Sequence, residues 1–109
     1  MTFRLYLLQR ATAALMAPLI IAHIAVILYA TGNGLSGAEI LGRTRGSIAW
    51  GLFYGLFVLL AAVHGAIGVR TVLGEWTRLS RSVLDLTAWG LGMVLMLLGL
   101  RAVYAVVIA

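Results

Sequence analysis

The stretch that decides the fold is SIAWGLFYGLFVLLAAVHGAIGVRTVL, residues 47–73. It carries a single formal charge, Arg70, close to its far end. At 1.5 Å per residue a helix of this length reaches about 40 Å, more than the ~30 Å of hydrocarbon in a bilayer. Two further runs, Leu5 to Ala30 and Val83 to Ala109, meet the same criterion. Of the 109 residues 63% are hydrophobic and only 10% charged, too little polar surface to cover a soluble globule. The fold class this predicts is an all-α membrane protein with three transmembrane helices at about 5–30, 47–73 and 83–108. Together they form a single transmembrane domain spanning 1–109.

Arg4 and Arg10 before an apolar run resemble a secretory leader, but the run is longer than the ~7–15 residues of such a leader's apolar part, so it is read as a retained helix. Three helices alone make a thin core, so the fold predicts an obligate partner or an oligomer in a larger helical bundle. The absence of cysteine excludes disulfides, thiolate ligands and iron–sulfur clusters held by this chain. Its basic residues are eight arginines scattered at helix ends, with no lysine, a pattern unsuited to nucleic acid. Arg4, Arg10, Arg70, Arg78 and Arg81 fall on one side of the membrane. Arg43 and Arg45, with Arg101 if it snorkels, fall on the other. The bias predicts a cytoplasmic N-terminus.

Thr31-Gly32-Asn33-Gly34-Leu35-Ser36-Gly37 reads as the turn that ends the first helix, and Ala38 to Leu41 as a turn of interfacial helix. Gly42 to Gly46 leads into the second span, and the polar connection Gly74 to Ser82 makes the second and third spans antiparallel neighbours. Pro18 inside the first helix predicts a kink or a freed carbonyl near Ala14 or Leu15. Gly51 and Gly55 form a GxxxG pair, a site for close helix approach.

The polar residues within the spans carry the functional signal. An imidazole in hydrocarbon needs a polar neighbour, a water-lined cavity or a metal, and haem iron is one such metal. His64 and Gly68, four apart, share a helix face, and a glycine there clears space for a flat macrocycle. The alternative is a hydrogen bond from His64 to a carbonyl or hydroxyl on another helix. His23 lies thirteen residues in from Arg10, ~20 Å, whereas His64 lies six residues from Arg70, ~9 Å. With the two imidazoles ~11 Å apart in depth, a second axial ligand at His64's level has to come from another chain.

His64, Gly68, Arg70, Glu75 and Trp76 together resemble the H-x-x-x-G-x-R-x-x-x-x-acid-aromatic signature on the second helix of the succinate dehydrogenase cytochrome b subunit. That subunit is a membrane anchor of succinate:quinone oxidoreductase and fumarate reductase. Leu8-Gln9-Arg10-Ala11-Thr12-Ala13 resembles the H-R-x-S-G motif opening the family's first helix, and the resemblance covers almost the whole chain. It implies one haem b ligated by His64 and by a histidine of a second small anchor subunit. It also implies electrons arriving from an iron–sulfur subunit docked to a flavoprotein subunit, membrane quinone as acceptor, and a bacterial cytoplasmic membrane as location. Arg10 would contact a haem propionate or the quinone, Thr12 takes the place of the family's serine, the quinone would bind near Arg10 and Thr12 at the cytoplasmic side, and Arg70 and Glu75 would line the rim where the hydrophilic subunits dock.

Two positions depart from the pattern. Gln9 replaces the motif's histidine and cannot be protonated, and Tyr6 stands where a quinone-contacting serine is often found, so Tyr6 is either a quinone contact or a belt residue. In two-haem relatives a first-helix histidine near the outer face ligates a distal haem, which makes His23 a candidate ligand for a second haem. A hydrogen-bonded structural histidine is the alternative. Arg101 and Tyr104 lie at comparable depth, where Arg101 either neutralises distal propionates or snorkels. Two other functional classes stay open: a haem-free anchor of the same superfamily, and a non-redox membrane protein, either a transporter component or an assembly scaffold. Transport predicts intramembrane acids, and the only one near a span is the shallow Asp85.

Overall fold

The computed structural model describes residues 2–34 and 36–108. Met1, Leu35 within the glycine-rich turn and Ala109 at the end of the third apolar run lie outside the described residues. Four helices follow in chain order: α1 (Phe3–Gly32), α2 (Gly37–Thr44), α3 (Ile48–Trp76) and α4 (Arg81–Val107). Among the described residues there is no strand. The helices α1, α3 and α4 are each long and apolar enough to cross a membrane. The whole measures 49 × 24 × 22 Å, one long dimension along the helix bundle.

Each helix starts at a hydroxyl cap. The side chains of Thr2, Ser36, Ser47 and Ser80 accept from the backbone N–H groups of Leu5, Glu39, Trp50 and Val83, which would otherwise be unpaired at the first turn. Ser36 and Glu39 have the spacing of a capping box, and they make the interfacial turn into a full helix of 8 residues reaching Thr44. The structure thus shortens the expected lead into the second span to the tight turn 45–47. At the other connection α3 runs on through Gly74 to Trp76, leaving Thr77–Ser80 as the link. A Cβ on Gly74 would lie 3.4 Å from the Leu84 side chain, an ordinary packing distance, where α4 begins its approach. Gly34 (φ 87°) and Gly46 (φ 74°) provide the left-handed turns that bracket α2. α1 continues unbroken through Pro18, where the Ala14 carbonyl has no N–H to accept from.

The helices are arranged with α3 in the middle, packed along both α1 and α4, while α1 and α4 share no comparable seam. Leu60, Ala62, Ala66 and Ile67, all on α3, are most of the small buried apolar core. Tight packing against α4 comes from glycine on both sides: Gly65 faces Leu95, Gly92 faces Ala66, and a Cβ on Gly99 would overlap the Val58 side chain. Of the GxxxG pair, Gly51 meets Val107 at the α4 end, while Gly55 has open space beside it. α2 closes one end of the bundle. The fully buried Thr44 donates to the Val106 carbonyl, and the Gly46 N–H donates to Val107 O at 2.6 Å.

Candidate functional site

The arginine-rich end of the bundle, where α1 begins and α3 ends, brings the two sequence motifs together in antiparallel register. Thr12 on α1 meets His64 on α3, and one turn nearer the end Gln9 meets Gly68. Thr12 is 3% exposed, and its Oγ1 lies 3.1 Å from His64 Nδ1. The same hydroxyl lies 2.9 Å from the Leu8 carbonyl and 3.0 Å from that of Gln9. The interhelical hydrogen bond expected of a structural histidine is therefore present, and it occupies only one of the two ring nitrogens.

Gln9 covers Gly68. A Cβ at Gly68 would lie 3.3 Å from Gln9 Nε2, so the space that the sequence reserved for a macrocycle beside this glycine is held by an amide, and Gly68 first of all admits α1. The Gln9 Oε1 is buried with no hydrogen-bond partner among the described residues, which is uncommon for a buried acceptor.

Tyr6 and Arg10 occupy a different face of α1. Both are exposed, and the Arg10 guanidinium sits over the Tyr6 ring at 5.6 Å from its centroid. This pairing keeps the fork of the arginine close to the helix while leaving it accessible. Of the first-helix motif, then, Gln9 and Thr12 turn inward to α3 and Tyr6 and Arg10 turn outward. The sequence assigned Thr12 and Arg10 together to one ligand, and the structure places them on different faces.

Arg70 does not stand free at the rim. Its Nε and Nη2 each lie 2.8 Å from Asp85 Oδ1, tying α3 to α4. The acid that a transport path would need is thus bound in an ion pair. Glu75 and Trp76 are exposed at the end of α3, as a docking or boundary role requires. Beside the Arg70–Asp85 pair, an apolar cavity of about 410 Å³ runs between Leu5 and Leu8 of α1 and Trp89 and Met93 of α4.

His23 lies at another level. Its ring packs edge-on against Phe57 (5.1 Å) and Tyr54 (6.2 Å), and it lines a cavity of about 350 Å³ with Thr44 and Val106. Phe57 precedes His64 by seven residues, about 10 Å along α3, so the two imidazoles sit at separate depths. Arg101 and Tyr104 are exposed on α4, apart from this cavity's lining.

Sequence reasoning singled out His64, Gly68, Thr12 and Arg10 but missed the Thr12 to His64 contact, the role of Gln9 and the Arg70–Asp85 pair. The first two were accessible from antiparallel register, because Gln9 and Thr12 are three apart on one helix and His64 and Gly68 four apart on the other. Among the described residues no three His, Cys, Asp or Glu side chains converge. The donor set is a single imidazole at each of two levels, which suits an axial ligand to a macrocycle rather than a metal caged by protein groups alone. With one ring nitrogen of His64 held by a hydroxyl and the other without a hydrogen bond among the described residues, this imidazole fits a haem ligand.

Apolar spans, an arginine-rich end and little buried surface of its own define the molecule as a membrane anchor that completes its packing with other subunits. The chain belongs to the succinate dehydrogenase/fumarate reductase transmembrane subunit family, whose model matches residues 1–100. No curated protein and no solved structure matches it. It is an integral membrane protein, and membership of this family means association with other succinate dehydrogenase/fumarate reductase subunits.

Proposed function

We propose that the chain is the haem b-binding anchor subunit of a succinate:quinone oxidoreductase. The observation that carries this reading is the state of His64, an imidazole within a membrane-spanning helix with one ring nitrogen hydrogen-bonded to Thr12 and the other left to ligate. His64 would hold the haem together with a histidine of a second small anchor subunit. When bound, haem b supplies a one-electron relay within the membrane.

The chain's own residues hold and orient. Thr12 fixes the His64 ring, Gln9 and Gly68 set the distance between α1 and α3, and apolar side chains exclude water around them. Arg10, held over Tyr6, presents its guanidinium to a propionate or to a quinone carbonyl oxygen, and a planar fork suits either. Succinate oxidation at the flavoprotein subunit releases two electrons and two protons. The electrons pass through the iron–sulfur subunit to quinone, which also takes up two protons to become quinol. The arginine-rich end faces the cytoplasm in this reading, so Glu75 and Trp76 lie where the hydrophilic subunits dock.

The test is the visible spectrum of the complex purified with its partners, oxidised, reduced with dithionite and reduced with succinate. The expected result is a low-spin b-type α-band that succinate reduces and that His64→Ala removes. An unchanged spectrum in His64→Ala excludes His64 as the ligand. A quinone-reducing complex without haem leaves an anchor of the haem-free type. The haem content per complex decides whether His23 ligates a second haem.

A further inference from the structure

The three groups around the Thr12 hydroxyl, two carbonyl oxygens and one ring nitrogen, constrain where its hydrogen points. A threonine hydroxyl has one hydrogen and two lone pairs. Thr12 Oγ1 lies 2.9 Å from one carbonyl oxygen and 3.0 Å from another, both acceptors only. If its hydrogen pointed to His64, the oxygen would face two carbonyls at hydrogen-bond distance with nothing between them but lone pairs. Directing the hydrogen to the carbonyls removes that repulsion, and this is the usual habit of a threonine within a helix. The contact to His64 at 3.1 Å is then made by a hydrogen on the ring, with Nδ1–H donating to Thr12 Oγ1.

We infer that Thr12 is the positioning residue of the site: it holds His64 as the Nδ1–H tautomer with its ring plane fixed, leaving the Nε2 lone pair bare for a metal. The inference rests on the reading of His64 as a haem ligand and deepens it. It also removes Thr12 from any quinone site, because the hydroxyl is 3% exposed and both its hydrogen and a lone pair are engaged. The polar contacts to quinone from this part of α1 then fall to Arg10 and Tyr6. Being β-branched, Thr12 keeps few side-chain rotamers, so the acceptor does not wander. A hydrogen bond given by Nδ1 raises the electron density at Nε2, strengthening ligation and favouring ferric over ferrous iron.

The experiment compares Thr12→Val, Thr12→Ser and His64→Ala in the complex purified with its partners. Haem content, the low-temperature electron paramagnetic resonance spectrum and the haem midpoint potential are read for each. Thr12→Val, of nearly the same shape but without the hydroxyl, is expected to retain haem about 10–100-fold less tightly. Any haem that remains is expected to have a potential shifted upward. Thr12→Ser restores both, which a merely space-filling role would not. In the haem-free full chain carrying 15N-labelled histidine, the nitrogen resonances of His64 are expected to show protonated Nδ1 in the wild type and a tautomer mixture in Thr12→Val. This readout stands even where the valine variant fails to assemble. Unchanged haem retention and potential in Thr12→Val, with His64→Ala devoid of haem, overturn the inference and leave the ligand in place. Haem retained in His64→Ala overturns the ligand reading itself and Thr12's role with it.

Discussion

At the scale of single residues, the chain handles its few polar groups by pairing them across helices. Arg70 and Asp85 are the plainest case. The Arg70 side chain is 17% exposed and that of Asp85 50%, so the two partners do not contribute symmetrically. Removing the carboxylate strands a mostly buried guanidinium, whereas removing the guanidinium leaves an acid that water can reach. Asp85→Asn is therefore expected to destabilise the fold by about 1–3 kcal/mol, and Arg70→Gln by less, in thermal unfolding in detergent. Equal losses from the two variants would contradict this asymmetry. His64 was legible in the sequence as a residue too polar for its surroundings, and Arg70 as a rim arginine at the end of its span. Their partners were not, because a side chain's neighbour on another helix depends on register and rotation, which periodicity along one helix does not set.

At the scale of elements, the seam between α3 and α4 depends on glycine more than on large side chains. Val58 fills the space that a Cβ at Gly99 would need, and valine has little rotamer freedom with which to yield. Gly99→Ala is expected to cost about 1–3 kcal/mol, measured as loss of folded protein in a denaturant titration, and Val58→Ala combined with it is expected to recover most of that loss. A double variant no more stable than Gly99→Ala would show that the strain lies elsewhere. The sequence drew attention to Gly51 and Gly55 because their spacing matches a known dimer pattern. The closest approach instead uses Gly99, whose partner is a valine, and no glycine spacing announces such a pair. The span boundaries, by contrast, were readable to within a few residues, since a long apolar run leaves the chain one way to satisfy its backbone in hydrocarbon. What the apolar runs did not reveal was α2 as a complete helix, although the Ser36 and Glu39 spacing held that information.

At the scale of the whole molecule, three spans set with α3 between its neighbours leave most of the apolar surface uncovered by this chain. Few of the lipid-depth side chains of α1 and α4 are fully buried within this chain, consistent with a subunit that finishes its packing against others of its family. The arginine bias predicts that the α1 start and the α3–α4 link lie on the cytoplasmic side. Because the chain has no cysteine, single introduced thiols report sidedness cleanly. In intact cells Asn33→Cys is expected to react with a membrane-impermeant maleimide, and Thr77→Cys to react only after lysis. The reverse pattern would place Arg10 and the His64 level near the outer surface and contradict the proposed docking of the hydrophilic subunits at this end.

The contact between Thr12 and His64 also bears on biogenesis. These residues stand 52 positions apart in sequence, on helices that enter the bilayer at different times and are joined through the glycine-bracketed α2. An imidazole on an isolated α3 has no hydroxyl to select its tautomer, and it competes for whatever polar groups drift past. The imidazole gains its fixed partner only after the first span has found the second. If His64 ligates haem as proposed, loading belongs to a late stage of maturation, after helix association, and a newly inserted chain would not offer a fixed ligand before then.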